Sequence, residues 1–246
     1  MSDLTAGTND GARTEGQRAV SDSGNRLRWF ELFLVLLVGF GSFFLNSLYI
    51  LIHGPTAPPA YANLRWLAGI TQEVAALLVL GYVLWRRKLG FKDIGLRWSL
   101  RDAGVGLVVA VVAYAAFAGG AFFVILVHYQ AYGTLPTVRT AREVFGHPGM
   151  MALPFSLLNP FCEELIVRAY LMTEVIDLTG SRALAVAISV VVQFSYHLYY
   201  GWVGAIALLF PFLIFALYYA RTRQALPLIV AHECMDIFAL GHLWFG

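Results

Sequence analysis

Glu163, Glu164 and Arg168 stand in "NPFCEELIVR" (159–168), inside a long apolar run. A charged side chain at bilayer depth costs about 2.5–3.5 kcal/mol on insertion scales, so three of them in one stretch need a role. Two more ionisable groups follow: His197 in "VVQFSYHLYYG", then His232, Glu233 and Asp236 in "LIVAHECMD". On a helix, Glu164 and Arg168 are four apart and share a face, as do His232 and Asp236. Glu163 is turned by about 100 degrees from Glu164 and points elsewhere, and Glu233 lies off the His232 face. If the three segments pack together, Glu163 or Glu164, His197, His232 and Asp236 meet in one polar pocket.

The chemistry follows from charge. Four carboxylates (Glu163, Glu164, Glu233, Asp236) against Arg168 leave a formal net of minus three in an apolar bundle. Such a charge is compensated by proton uptake, by a bound cation or by water in a cavity. All three suit hydrolysis. A buried glutamate acts as a general base toward water. Histidines polarise a carbonyl, steady an oxyanion or ligate zinc, and two histidines with a carboxylate form a catalytic zinc set. Structural explanations stand beside these. A Glu–Arg pair at helical spacing also staples helices, and a lone membrane histidine also serves as a helix–helix hydrogen-bonding group. Glu73, in "ITQEVAALL", either pairs with the site or lines a cavity. Tyr196, Tyr199, Tyr200 and Trp202 read as an interfacial aromatic belt. His53, His128, His147 and His242 lie near expected ends or in loops and receive no role.

The elements that must position these groups are membrane helices. The chain is 59% hydrophobic and 13% charged, with a mean hydropathy of +0.68; a soluble domain carries roughly a quarter charged residues. Spans of about 20 apolar residues are expected at 30–53, 66–85, 103–128, 150–172, 183–200, 202–220 and 226–245. The fold class is therefore all-α, a polytopic transmembrane bundle of about seven to eight helices, broken near Gly201 and kinked at Pro154, Pro160 and Pro211. Residues 1–28 read as a disordered polar tail rather than a signal peptide, 29–148 as N-terminal transmembrane helices and 149–246 as a catalytic core. Lys and Arg in the tail, in "RRKLGFKDIGLRWSLRD" and at Arg221 and Arg223 place the N-terminus in the cytoplasm and the C-terminus outside. An integral, multi-pass protein of a bacterial plasma membrane is expected, with the bilayer as a partner and no nucleic-acid partner. Cys162 and Cys234 both lie in apolar segments and read as packing residues rather than a disulfide. No internal repeat, P-loop, GxGxxG or CxxC is present.

The order "EELIVR" (163–168), "QFSYH" (193–197) and "HECMD" (232–236) resembles the CAAX-protease and bacteriocin-processing family of intramembrane endopeptidases, also called Abi-type. The resemblance covers roughly residues 150–245, and "LGFKDIGLR" also looks like a family linker. It implies a helical membrane endopeptidase acting on a protein or peptide. Glu163 and Glu164 would be the activating carboxylates, with His197 and His232 activating water, stabilising an oxyanion or binding metal. Arg168 would hold the glutamate pair. Asp236 would stand where asparagine is frequent, and zinc, held by His197, His232 and Glu164, is a cofactor the resemblance allows. Two positions depart from the family pattern: Gln193 stands where phenylalanine is usual, with Phe194 one place on, and Asp236 cannot donate through an amide. The latter favours a ligand or histidine-orienting role there.

The expected function is hydrolysis of peptide bonds in or beside the bilayer, with water activated by Glu163 or Glu164 together with His197 and His232. The alternatives are a non-proteolytic scaffold or bacteriocin-immunity protein of the same fold, and an ion or proton translocator using the buried carboxylates.

Overall fold

The structure, a computed structural model, describes residues 9–55, 62–146 and 148–245. His147 lies outside these residues, and so do residues 1–8 of the expected tail. Helix α1 (Asn9–His53) starts inside the rest of that tail and runs on into the first apolar span. It is followed by α2 (Ala62–Arg86), α3 (Leu100–Tyr132), the short α4 (Ala141–Phe145) and α5 (Ala152–Glu163). A π-helical segment, Glu164–Tyr170, joins α5 to α6 (Leu171–Thr179). Then come α7 (Arg182–Tyr196), a 3-10 turn (Leu198–Tyr200), α8 (Gly201–Thr222) and α9 (Leu226–Phe245). Among the described residues there is no strand, and the all-α membrane bundle expected from composition is what forms.

Among the described residues, four helical stretches are long and apolar enough to cross a membrane: Ser23–His53, Asn63–Arg86, Leu100–Tyr132 and Leu198–Thr222. The α5–π–α6 run, α7 and α9 correspond to the other three expected spans. They carry the ionisable residues, and α7 has only 15 residues. The boundary expected at 148/149 falls in the connection between α4 and α5. Both halves nevertheless contribute to one core, in which Val35, Ala76 and Leu80 pack with Ile166, Val167 and Tyr170.

Helix α3 packs along α8 and α9 because two glycines let the backbones approach. A Cβ at Gly106 would stand 2.7 Å from Val230 Cβ and 2.8 Å from the carbonyl oxygen of Pro227, and one at Gly120 would collide with the ring of Phe210. The opposite face of α3 shows Val108, Val111 and Phe122 outward, each well over half exposed, as a lipid-facing helix requires.

The π segment has a local cause and local compensation. Pro160 lies inside α5, where its missing N–H and its ring disturb the helical ladder. The wider turn follows within four residues. Its loosened carbonyls find side-chain donors: Ser189 Oγ donates to Val167 O (3.0 Å), and Tyr219 Oη shares its proton between Ala169 O (3.1 Å) and Ile94 O (2.8 Å). All seven residues of the segment are buried.

The basic residues of three separate sequence regions gather at one end of the bundle. Arg87 grips Glu174 with two hydrogen bonds of 2.7 and 2.9 Å, and Arg28 adds a third at 2.9 Å. Arg86 and Arg87 both pair with Glu31, and Arg223 lies 3.8 Å from Asp177. These contacts tie α1 near the start of its apolar span, the end of α2, α6 and the end of α8 into one rim.

Candidate active site

Helix α7 stops early, and this brings His197 into the bundle. His197 is the C-cap residue; the chain then makes a single 3-10 turn and restarts at Gly201, whose φ of +77° suits glycine. Ser47 of α1 pins this corner: its Oγ donates to Tyr196 O (2.6 Å) and accepts from Tyr199 N (3.1 Å). His197 Nδ1 lies 2.8 Å from Gln193 O. A carbonyl only accepts, so Nδ1 carries the hydrogen and Nε2 is the nitrogen left for other partners. His197 and His232 thereby line the same cavity.

That cavity has a volume of about 620 Å³ and is lined by Glu163, His197, His232 and Asp236 among largely apolar neighbours. Glu164 and Arg168 are not part of the lining; both are fully buried behind it. The adjacent glutamates thus differ in place. Glu163 Oε2 accepts from Gln193 Nε2 (2.8 Å) and Tyr196 Oη (2.9 Å), and its Oε1 accepts from Asn159 Nδ2 (3.3 Å). Glu164 Oε1 lies 2.9 Å from His232 Nδ1, and its other oxygen is 3.7 Å from Arg168 Nε. The Arg168 guanidinium also sits 5.9 Å from the ring centroid of Phe212, a cation–π distance.

His232 Nε2 faces the cavity side, 4.0 Å from Glu163 Oε2 and 3.6 Å from Asp236 Oδ1. Bonding of one ring nitrogen to a carboxylate fixes the ring and leaves the other nitrogen for chemistry. The face-sharing expected for Glu164 with Arg168 and for His232 with Asp236 is present in these ion-pair distances. Glu163, expected to point away from Glu164, does so by reaching the opposite nitrogen of the same imidazole.

The aromatic expectation needs correction. Tyr196, Tyr199 and Tyr200 do not form an interfacial belt: all three line the cavity, and Tyr196 donates to Glu163. The reason is that α7 ends at Tyr196 and its aromatic corner folds inward. Only Trp202 remains exposed. Gln193, read as a departure, is a hydrogen-bond donor to Glu163, so the amide replaces an apolar contact with a polar one. Sequence reading also missed Asn159 and underrated Glu73. Asn159 Nδ2 lies 2.7 Å from Glu73 Oε1 as well as bonding Glu163. A signal was present: both are polar residues within apolar runs.

Among the described residues no three His, Cys, Asp or Glu side chains gather as a metal site would require. Glu164 is taken up by His232 Nδ1 and Arg168 behind the cavity, and His197 Nδ1 by a backbone carbonyl. The arrangement does not fit the three-ligand set of His197, His232 and Glu164, and no step below runs through a metal. Cys162 and Cys234 are free thiols.

Residues 146–238 match the family model described as Type II CAAX prenyl endopeptidase Rce1-like. No curated protein and no solved structure matches the chain. The matched segment contains Glu163, Glu164, Arg168, His197, His232 and Asp236. At the level of the family this supports a CAAX-type intramembrane protease acting on a protein or peptide.

Proposed function

We propose that this chain, with its Rce1-like segment at 146–238, is an intramembrane endopeptidase in which Glu163 activates water and His197 and His232 act on the peptide carbonyl. One observation carries this reading: Glu163, His197, His232 and Asp236 line a single cavity while Glu164 holds His232 from behind. Glu163 takes a proton from water as the water oxygen bonds to the carbonyl carbon, and the carbonyl π electrons move onto oxygen. Donation to the developing oxyanion comes from Nε2–H of a histidine in its imidazolium form, because Nδ1–H is already given to Gln193 O in His197 and to Glu164 in His232. Collapse of the intermediate breaks the C–N bond, and the proton held by Glu163 passes to the leaving amine. Asp236 sits at 3.6 Å from His232 Nε2 and serves to orient that ring. The basic rim formed by Arg28, Arg86, Arg87 and Arg223 supports a cytoplasmic N-terminus.

The test is cleavage of a quenched peptide library by the purified protein in mild detergent, with Glu163→Ala as the blank, with and without chelator, alongside a measurement of bound metal. Cleavage by wild type alone supports the reading. Equal activity of the Glu163→Ala, His197→Ala and His232→Ala variants sinks the mechanism. Stoichiometric zinc with chelator-sensitive cleavage replaces it with a metalloprotease.

A further inference from the structure

Glu73 lies on α2, outside the segment that matches the family and outside the set of residues given a role above. Its side chain is buried, 1% exposed, in the middle of an apolar transmembrane helix. A carboxylate at membrane depth is costly and is kept only with a partner. Its hydrogen-bond partner explains the retention. Asn159 Nδ2 has two hydrogens, and it lies 2.7 Å from Glu73 Oε1 and 3.3 Å from Glu163 Oε1. One amide nitrogen therefore joins two carboxylates, one on α2 and one at the end of α5. The shorter bond goes to Glu73, so Glu73 determines how the amide is turned and which hydrogen reaches Glu163. Helices α2 and α5 pack directly against one another, and Cys162 Sγ approaches Glu73 O (4.0 Å), which holds the two helices in this register.

We propose that Glu73 is a positioning residue for Glu163, acting through Asn159, so that the catalytic geometry depends on a helix outside the family-matched core. The proposal rests on Glu163 being the water-activating group. The other two donors to Glu163, Gln193 and Tyr196, both bind Oε2. Asn159 alone holds Oε1 among the described residues, so loss of the Glu73 acceptor frees the amide to rotate and releases that oxygen.

The experiment compares Glu73→Gln, Glu73→Leu, Asn159→Ala and the Glu73→Leu/Asn159→Ala pair in detergent-purified full-length protein. Glutamine keeps an acceptor oxygen, so Glu73→Gln retains kcat within a few fold of wild type. Glu73→Leu lowers kcat by about 10- to 100-fold, the size of effect a small misplacement of a reacting group produces, with little change in KM. The double variant is no worse than Asn159→Ala alone. Equal losses in the glutamine and leucine variants, or additive losses in the double variant, overturn the proposal. Should Glu73→Leu fail to fold, Glu73→Met removes the same acceptor. A readout without turnover separates this proposal from the proteolytic reading. Unfolding midpoints of Glu73→Leu, Glu163→Ala and their double variant are non-additive if the two carboxylates are linked, and additive if they are not. Wild-type protein that cleaves nothing, yet shows non-additive midpoints, defeats the protease and leaves the link standing.

Discussion

His232 Nδ1 lies 2.9 Å from Glu164 Oε1, while the ring's other nitrogen faces the neighbouring glutamate of the same pair, 4.0 Å away. Two adjacent residues thus address opposite sides of one imidazole. They are expected to fail differently. Glu163→Gln removes the base and lowers kcat by about 10²- to 10⁴-fold with the protein still folded. Glu164→Gln acts through the orientation of His232. It lowers kcat by about 100-fold or more, as loss of an orienting carboxylate does elsewhere. Single-turnover rates with both variants check this; an unaffected Glu164→Gln contradicts the orienting role.

Arg168 and Glu164 form a fully buried pair, and removal of one member leaves the other charge uncompensated. Arg168→Met is expected to destabilise by about 3–5 kcal/mol. Addition of Glu164→Gln to Arg168→Met recovers much of that stability without restoring cleavage. Unfolding midpoints and activity, measured on the same preparations, separate the two effects.

Tyr196 donates to Glu163 Oε2 at 2.9 Å. A hydrogen bond to a charged group contributes about 1.5–3 kcal/mol, so Tyr196→Phe lowers kcat by about 10-fold or somewhat more. Its expression and unfolding midpoint stay close to wild type, since the ring remains stacked on Phe40 (4.7 Å between centroids). An interfacial tyrosine would show no loss of activity.

Gly106 has no room for a Cβ against Val230 and the carbonyl of Pro227, and the latter is backbone that cannot swing aside. Gly106→Ala is expected to destabilise by about 1–3 kcal/mol, the usual cost of overpacking. Gly104, with nothing within 4 Å, is the matched control, and Gly104→Ala leaves the midpoint unchanged or raises it slightly.

Glu174 lies beyond the expected fourth span, in the basic rim. Burial alone would push its carboxyl up, but hydrogen bonds and charge from Arg87 and Arg28 outweigh this and hold it below its ordinary value. A depressed folded value means that stability is present above the unfolded value, near 4.5, and is lost as pH falls through the folded one. The difference in unfolding midpoint between wild type and Glu174→Gln is therefore constant near neutrality and shrinks as the pH drops below that value. A difference that grows with acid would contradict the rim's ionic character.

Much of this site was legible because a charged residue within an apolar run is conspicuous. Glu163, Arg168, His197 and His232 stand out from their neighbours, and their order along the chain carried the resemblance. The division of labour between Glu163 and Glu164 was not legible. It depends on the π segment that begins between them, which follows from Pro160 and from distant donors on Ser189 and Tyr219. The aromatic corner was misread for a related reason. Tyrosine in a membrane protein is at home at the interface, and only the early end of α7 shows that Tyr196 turns inward. Glu73 was ambiguous because its partner, Asn159, is 86 residues away in sequence.

The basic rim has a mechanical consequence. Arg28, Arg87 and Arg223 clamp α1, α2 and α8 to α6, and Arg86 pairs α2 with Glu31 of α1, so the bundle is latched at that end. At the other end, the cavity is walled by Arg139, Phe145, Tyr199 and Tyr200, residues of a connection, the short α4 and a single 3-10 turn. Separation of helices is resisted by ionic clamps on one side and, on the other, by hydrogen bonds from Arg65, Arg139 and Arg142 to backbone carbonyls. The rim, closed by paired charges, is therefore the stiffer end of the bundle.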